Sequence, residues 1–597
     1  MNLSQIQIFF KYFSFFFKTE KWKFIVFIII SLTAVFFDGI GLSLFIPLLT
    51  TSNVVASSDN ALIQSINVFF DAMRMNMNLN NILIMIIVVF TLKAFAVGFQ
   101  NLLKVYISSS IKRDWKKKIA NLCGDLNYKY FIHTNTGFLS NILTKETDSA
   151  VGAFSKYCVI IINAINIAAY MLFSFFLSFK ITLLAGCAGL LMILIIRKIF
   201  NITERLSLKA TTLNAILQQD VIQMFHSFKY LKATSNFKKL YNKICDSINS
   251  MLKVEVKQYV SELIVMMLLE ISAVWMVIGI IFYHVSIQGH NISSILILAM
   301  FFHKTIRQIN TFPGTWNSFL INSGSLYVVT KTIKELEDNA EISGAEKFTE
   351  FKDKIVFKNI NFSHGDKQIL HNINLTIKKN STIAFVGESG AGKSTTIDLI
   401  TGVFKPGSGS ILVDNINYSD IDLSSFRKKI GYVTQEIIIY NDTISNNVSL
   451  WDSESNKNIV NSNVSESIRK AHCEDFVLAS EDSYNTNIGD RGVKLSVGQR
   501  QRIAIARELY KNVDILIFDE ATSALDSKSE QYIQQSITEL KNKMTIILIA
   551  HRLSTIKNAD YIYVLDKGKV AEEGTYADLY KKDSLFKKMC NLQSLTE

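Results

Sequence analysis

The first 320 or so residues consist of long apolar runs separated by shorter polar connections. Each run is near or above the roughly 20 residues that an α-helix needs to cross a bilayer, the fourth being the shortest. Residues 24–30 and 82–90 have no polar face, whereas a helix buried in a soluble protein normally keeps one. The pattern therefore predicts six membrane spans, at residues 24–49, 81–110, 151–177, 181–197, 258–283 and 293–312.

The basic residues next to these runs predict how the chain crosses the membrane. Lys and Arg are concentrated before the first span, after the second and after the fourth, whereas the connections at 51–80, 178–180 and 284–292 carry few. The basic side is predicted to be cytoplasmic, which makes the chain a multi-pass protein of the cytoplasmic (inner) membrane with both termini inside. This bias accounts for the net charge of +12, so the predicted partner is the lipid bilayer and not nucleic acid. Residues 1–22, rich in Phe and without a cleavage site, predict an interfacial helix on the cytoplasmic leaflet.

A glycine-rich loop beyond the middle of the chain predicts a phosphate-binding site. Residues 383–386 form a short apolar strand before the loop, and residues 395–400 form a helix after it. Glycine lets backbone N–H groups turn towards phosphate oxygens, and the N-terminus of the helix adds its dipole. Lys393 is predicted to reach the terminal phosphates of ATP, and Ser394 to ligate Mg²⁺. The predicted nucleotide-binding residues of the loop are Gly387, Glu388, Ser389, Gly390, Ala391, Gly392, Lys393, Ser394 and Thr395.

A second apolar strand, at residues 514–520, ends in two adjacent carboxylates. Neighbouring side chains on a strand point in opposite directions. Asp519 is therefore predicted to serve Mg²⁺, directly or through water, and Glu520 to act as general base on an attacking water. A merely structural acidic pair at a strand end is the alternative, and the presence of the other motifs argues against it.

Together with four further motifs, these sequences resemble those of ATP-binding cassette (ABC) transporters. The further motifs are Tyr432-Val433-Thr434-Gln435, Leu495-Ser496-Val497-Gly498-Gln499, Ser523-Ala524-Leu525-Asp526 and Ala550-His551-Arg552. The resemblance implies that Gln435 serves the metal and catalysis, that His551 senses the γ-phosphate, and that Asp526 and the pentapeptide Leu495, Ser496, Val497, Gly498 and Gln499 contribute to nucleotide binding. It covers the whole chain, which divides into a transmembrane domain with cytoplasmic helical extensions at residues 1–335 and an ATP-binding cassette at 336–597.

The resemblance also implies a fold and an assembly. The fold is an α-helical six-span transmembrane domain joined to an α/β P-loop ATPase domain, in the domain-swapped-type dimer of the exporter branch. In the family, the pentapeptide of one subunit faces the γ-phosphate held by the other subunit. One cassette makes the chain a half-transporter, so we expect a homodimer, while a heterodimer with a separately encoded half stays open. Residues 133–143 and 214–229 are candidates for the short coupling helices that dock on a cassette.

Two positions depart from the family pattern. The third residue of the pentapeptide is usually glycine, and Val497 brings a β-branched side chain close to where a phosphate approaches. We expect turnover to be retained but slower. The residue that stacks on adenine is usually tyrosine, and this position aligns with His364, whose smaller ring predicts a lower affinity for adenine.

Ionisable residues inside the spans are costly in lipid and usually face a cavity or a partner. On this ground Asp38 in the first span and Lys304 and Arg307 in the sixth are candidate substrate contacts, with ion pairing between helices as the alternative. Residues 38–49 and the basic sixth span resemble bacterial flippases of lipid-linked oligosaccharides.

The predicted function is therefore ATP-driven export or flipping of an amphiphilic substrate, with lipid-linked oligosaccharides as one candidate class. Export of a peptide, a hydrophobic small molecule or another lipid is the first alternative. An ATP-gated channel or regulator is the second. A non-transport ATPase that acts on nucleic acid or ribosomes is the third, and the six apolar spans argue against it.

Overall fold

The computed structural model divides the chain into two compact units. It describes residues 3–51, 68, 70, 71, 74, 76, 78–282, 292–452, 456–520, 527–549, 556–581 and 584–594. The first unit comprises Met1–Gly124 and Thr134–Asp338, and the second comprises Asp125–His133 and Asn339–Glu597. The first unit therefore ends three residues beyond the boundary predicted at residue 335, a linker follows at residues 339–353, and the short segment Asp125–His133 belongs with the cassette.

The first unit is built from helices, several of which are far longer than a bilayer is thick. In chain order, and including α5 of the second unit, the helices up to the linker are α1 (Leu3–Thr19), α2 (Lys21–Ser43), α3 (Phe45–Thr51), α4 (Leu79–Gly124), α5 (Tyr128–His133), α6 (Thr136–Asn141), α7 (Thr147–Leu177), α8 (Phe179–His226), α9 (Phe228–Ala233), α10 (Phe237–Phe282) and α11 (Ile292–Asp338). At 1.5 Å per residue, α4, α8, α10 and α11 each extend about 70 Å, more than twice the roughly 30 Å hydrocarbon core.

Four stretches of the described residues are long and apolar enough to cross a membrane. They are Lys21–Leu48, Leu79–Gly124, Thr136–Leu177 and Phe237–Gly279. The other two predicted spans, at 181–197 and 293–312, lie inside the long helices α8 and α11. Within the described residues, all six predicted spans therefore fall on helices.

The aromatic face of α1 packs against other helices of the first unit. Phe16 is buried, and its ring contacts the rings of Phe154 and Tyr157 on α7 at centroid distances of 5.1 and 5.3 Å. The Tyr157 hydroxyl also donates a hydrogen bond to the Phe9 carbonyl oxygen. Helix α1 is thus present as predicted, and part of its apolar face is covered by protein.

The short helices of the polar extensions have different bounds from those predicted. The candidate at residues 133–143 contains the end of α5, all of α6 and the start of a π-helical turn at Ile142–Glu146. Asn135 separates α5 from α6. Its side chain accepts hydrogen bonds from the N–H groups of Gly137 and Phe138 and so caps the start of a new helix. The candidate at 214–229 lies mostly inside α8, and the separate short helix there is α9.

The second unit contains two sheets. The strands are β1 (Lys354–His364), β2 (Lys367–Lys378), β3 (Thr382–Val386), β4 (Ser408–Val413), β5 (Ile416–Asn417), β6 (Ile430–Val433), β7 (Ile515–Asp519), β8 (Thr545–Ile549), β9 (Tyr561–Asp566) and β10 (Lys569–Gly574). The larger sheet has the order β10-β9-β3-β8-β7-β6, in which β3 pairs in parallel with both β8 and β9. The smaller sheet is antiparallel, in the order β2-β1-β4-β5.

The central strands of the larger sheet are apolar throughout because both faces are covered. Every residue of β3, β7 and β8 is buried, as is typical of parallel strands enclosed on two sides.

The helices of this unit after the linker are α12 (Lys393–Ile400), α13 (Leu423–Arg427), α14 (Ile444–Ser449), α15 (Lys457–Lys470), α16 (Glu474–Leu478), α17 (Val497–Tyr510), α18 (Ser527–Leu540), α19 (Tyr576–Lys581) and α20 (Leu585–Ser594). The carboxyl ends of β3 and β7 bring the phosphate loop and the two carboxylates to one edge of the sheet.

Candidate nucleotide site and membrane charge cluster

The phosphate loop connects β3 to α12 and is shaped by two glycines that no larger residue could replace. Gly387 has a φ of +156°, and a Cβ atom there would lie 2.3 Å from the Leu565 carbonyl oxygen. Gly392 has a φ of +101°, and its Cβ would lie 2.6 Å from a Leu370 methyl group. The loop therefore depends on glycine for both its backbone conformation and its close packing.

Lys393, the first residue of α12, folds back into this loop. Its side chain is only 6% exposed, and its Nζ donates hydrogen bonds to the carbonyl oxygens of Gly387 at 2.8 Å and Glu388 at 3.0 Å. Burial lowers the pKa of Lys393, and the nearby carboxylates of Glu520 and Asp519 partly offset that effect. The ammonium group therefore lies among the loop carbonyls, while Ser394 beside it is exposed.

The carboxylates at the end of β7 have separate partners. Tyr432 on β6 donates its hydroxyl to Asp519 Oδ2 at 3.0 Å, and burial together with Asp519 raises the pKa of Tyr432. The Gln435 side-chain N–H donates to Glu520 Oε2 at 2.7 Å. Glu520 also has a φ of +50°, a left-handed conformation that is uncommon for a residue other than glycine. Glu520 lies one residue beyond β7, so the different surroundings of the two carboxylates follow from this backbone turn and not from the strand alternation expected from the sequence.

Asp398 is a third carboxyl near this edge of the sheet, and the sequence analysis did not identify it. It lies on α12, five residues after Lys393. Burial and, secondarily, the charge of Asp519 raise its pKa to about 6. No motif pointed to this residue, because its altered pKa arises from burial and from a neighbour on a different element.

The pentapeptide starts α17 with two reciprocal hydrogen bonds. Ser496 is the N-cap: its hydroxyl accepts from the Gln499 N–H at 3.2 Å, and the Ser496 N–H donates to Gln499 Oε1 at 2.9 Å. This capping box holds the helix start firmly. Val497 is 39% exposed at the first helical position, and Gly498 behind it is buried. The valine side chain is therefore exposed at the N-terminus of α17, which is the positive end of the helix dipole.

His364, at the end of β1, lies in an aromatic group. Its ring makes edge contacts with Phe404 and Phe362 at centroid distances of 4.8 and 5.0 Å. Tyr128 on α5 contacts the same Phe404 ring at 5.5 Å. The exposed His364 ring thus rests on buried aromatic side chains, which hold it at the end of its strand.

The predicted site residues are brought together only in part. The phosphate loop, Gln435, Asp519 and Glu520 converge at one edge of the sheet. Among the residues that the structure describes, no hydrogen bond or ion pair joins the pentapeptide to residues 387–395. Asp526 and His551 lie outside the described residues.

In the membrane unit, Asp38 is a paired residue. Its Oδ1 accepts from Lys93 Nζ at 2.5 Å and from Lys304 Nζ at 2.6 Å, and its Oδ2 accepts from Lys304 Nζ at 2.7 Å and from the Tyr170 hydroxyl. The alternative of pairing between helices therefore describes Asp38 and Lys304. Arg307 is exposed, and no hydrogen bond or ion pair holds it within the described part of the chain. Substrate contact by these residues stays a prediction.

Comparison with protein-family models matches residues 370–523 to the model described as ABC transporter and residues 22–309 to the ABC transporter transmembrane region. The chain is 29% identical over 522 residues to the ATP-dependent lipid A-core flippase of Syntrophus aciditrophicus (strain SB), covering 85% of this chain and 84% of that protein. It is 30% identical over 471 residues to the heterocyst differentiation ATP-binding protein HepA of Nostoc sp. (strain PCC 7120 / SAG 25.82 / UTEX 2576), covering 78% and 76%.

A solved structure also resembles the chain along its length. The structure of a bacterial Atm1-family ABC exporter with ATP bound has a TM-score of 0.74 at 22% identity, covering 96% of this chain and 98% of that one. The predicted combination of a helical transmembrane domain with an α/β nucleotide-binding domain is confirmed.

Proposed function

The chain belongs to the ABC transporter family, and from that premise we propose that it exports or flips an anionic amphiphile, of which lipid-linked oligosaccharides are one class. ATP hydrolysis coupled to transport follows from the cassette and from its fusion to a transmembrane domain. The observation that carries the proposal is the similarity, over 85% of the chain, to a protein named as a lipid A-core flippase. We place the protein in the cytoplasmic membrane, with both termini in the cytoplasm.

The phosphate loop fits a nucleotide. A Cβ atom at Gly387 or Gly392 would lie too close to Leu565 or Leu370, and the buried side chain of Lys393 lies within the loop. These features suit the binding of phosphate oxygens by backbone N–H groups and an ammonium group. Lys393, now bonded to two carbonyl oxygens, would exchange those bonds for the phosphates of ATP.

The donor set near the loop also fits Mg²⁺. Ser394, Asp519 and Gln435 would hold the ion, which is consistent with its preference for oxygen ligands. When bound, Mg²⁺ would neutralise charge on the phosphate oxygens. Tyr432 fixes the orientation of the Asp519 carboxylate through its hydroxyl.

Glu520 is the general base in this proposal. Gln435 orients its carboxylate by donating to Oε2, and the carboxylate would take the proton of an attacking water. His551 would sense the γ-phosphate, and His364 would stack on the adenine ring.

A second copy of the chain would complete each site. Ser496 and Gly498 start a helix whose exposed N-terminus suits an anion held by another subunit. Asp526 would contribute from the same side. A symmetric homodimer then contains two equal sites, each with its own Glu520.

The test is vectorial transport by the purified protein in proteoliposomes. Lipid-linked oligosaccharide, phospholipid and a hydrophobic peptide are each supplied on the cassette side with ATP, and Glu520→Gln serves as the inactive control. We expect ATP-dependent movement of an anionic lipid that Glu520→Gln abolishes. Transport of the peptide alone would establish the peptide-exporter alternative, and ion conductance without transport would establish a channel.

A further inference from the structure

Four side chains from four different helices meet inside the predicted spans. We call them the Asp38 cluster: Asp38 on α2, Lys93 on α4, Tyr170 on α7 and Lys304 on α11. Lys93 and Lys304 both bond to Asp38 Oδ1, so their nitrogens lie within about 5 Å of each other. Two cations are thus held side by side by a single carboxylate.

The cluster carries more positive charge than negative charge. With all groups ionised, two ammonium groups face one carboxylate, and the described residues place no second carboxylate within ion-pairing distance of either lysine. Lys93 and Lys304 lie about 20 Å along α4 and α11 from the first residues of those helices, inside the predicted spans. An uncompensated charge is costly at such a depth, which favours binding of an anion.

The hydrogen-bonding capacity of the Asp38 cluster also favours binding of an anion. The two Asp38 oxygens together accept four hydrogen bonds, so the carboxylate is saturated. A lysine ammonium group has three donors. Lys93 uses one of them on Asp38, and the described residues offer its other two no acceptor. The unused hydrogen-bonding capacity of the cluster therefore consists of donor groups on the Lys93 ammonium group.

The carboxylate and the ammonium groups of the cluster differ in their exposure. In the single chain, the Asp38 side chain is 3% exposed, whereas those of Lys93 and Lys304 are 26% and 29% exposed. A ligand can therefore reach the ammonium groups without reaching the carboxylate. Tyr170 and Asp38 lie behind the lysines and hold them in place.

From this geometry we propose that the Asp38 cluster binds the phosphate group of an anionic amphiphile, with Lys93 and Lys304 as the contacting residues and Asp38 and Tyr170 as positioning residues. Phosphate oxygens would accept the spare donors in charge-assisted hydrogen bonds and supply the missing negative charge. The inference deepens the proposed function, since it assigns the anionic group of the substrate to a site. It adds Lys93, which the sequence analysis had not placed among the candidate contacts.

The experiment measures binding directly and without ATP, so that its outcome does not depend on transport. Full-length protein in uncharged maltoside micelles is titrated with radiolabelled phosphatidic acid, and with diacylglycerol of the same acyl chains as the uncharged counterpart. The variants are Lys93→Gln, which leaves a balanced Asp38–Lys304 pair, and Lys93→Arg, which keeps the charge. Lys104→Gln is the matched control, because Lys104 lies on the same helix and bonds Asn101 outside the cluster.

We expect Lys93→Gln to weaken phosphatidic acid binding roughly tenfold to a hundredfold. Lys93→Arg should restore most of the affinity, and Lys104→Gln should leave it unchanged. Diacylglycerol binding should not respond to any of the three. Inorganic phosphate is the last arm: competition with phosphatidic acid supports a site for free phosphate as well, and no competition supports a lipid headgroup as the source.

An unchanged affinity for phosphatidic acid in Lys93→Gln would overturn the proposal. An equal loss in Lys104→Gln, or an equal loss for diacylglycerol, would do the same. If phosphatidic acid binds through Lys93 but no anionic lipid is transported in proteoliposomes, the proposed function fails while the phosphate site stands.

Discussion

Replacing Asp398 by asparagine should stabilise the nucleotide-free cassette at neutral and alkaline pH. Burial and the charge of Asp519 raise the pKa of this carboxyl from 3.8 to about 6. The native state therefore binds the proton more tightly than the unfolded state does. The stability that this proton contributes is fully present below about pH 4 and is lost as the pH rises through 6.

The magnitude follows from the size of the shift. Each pKa unit corresponds to 1.36 kcal/mol, so a shift of about two units gives an upper bound of about 3 kcal/mol at pH 8. Part of the Asp398 side chain is in contact with water, and about 2 kcal/mol is the discounted value. For a domain of this size, 1 kcal/mol moves the unfolding temperature by about 2–4 °C. Asp398→Asn should therefore raise the unfolding temperature by about 4–8 °C at pH 8.

The assay is thermal unfolding of the full-length protein, without nucleotide or magnesium, at several pH values between 5 and 8. The difference between Asp398→Asn and the parent should fall by about half at pH 5, because the parent carboxyl is then largely protonated. Asp366→Asn is the control, since Asp366 is exposed in the turn between β1 and β2. This substitution should change the unfolding temperature little at any pH. A lower unfolding temperature for Asp398→Asn, or a difference that is the same at pH 5 and pH 8, would refute the reasoning.

Three further substitutions test the remaining assignments. Lys393→Ala should weaken ATP binding by at least tenfold, because a buried cation at the phosphate loop is lost, and equilibrium binding of a fluorescent ATP analogue measures this. Val497→Gly should raise ATP turnover by opening the N-terminus of α17, and a clear fall in steady-state ATPase would contradict the steric argument. Arg307→Ala should lower ATPase stimulation by an anionic lipid while the dimer still assembles. Loss of the dimer in gel filtration would instead assign Arg307 a structural role.

The sequence predicts the parts of the fold that depend on neighbouring residues. The strand predicted at residues 383–386 lies within β3, because a short apolar run before a glycine-rich loop is typical of a buried strand. The helix after the phosphate loop begins at Lys393, two residues earlier than predicted. Gly392 supplies the reason, since its left-handed backbone marks the boundary and leaves Lys393 free to begin the helix.

Features that depend on distant residues could not be predicted in the same way. The partners of Asp38 come from residues 93, 170 and 304, and no periodic pattern relates these positions. The bounds of the short helices α5 and α6 depend on hydrogen bonds that the side chains of Asn127 and Asn135 accept from backbone N–H groups, and these bonds compete with the helical pattern around them. The pKa of Asp398 depends on burial that only the folded sheet produces.

The contact between Gln435 and Glu520 reconciles two roles that the sequence assigned to one glutamine. An amide side chain has a donor end and an acceptor end. The donor end of Gln435 holds the Glu520 carboxylate at 2.7 Å, so the acceptor end remains for a cation. Gln435 follows β6, and Tyr432 three residues before it holds Asp519. One strand end thus orients both carboxylates, and any movement of this segment would change the proposed base and the proposed metal ligand together.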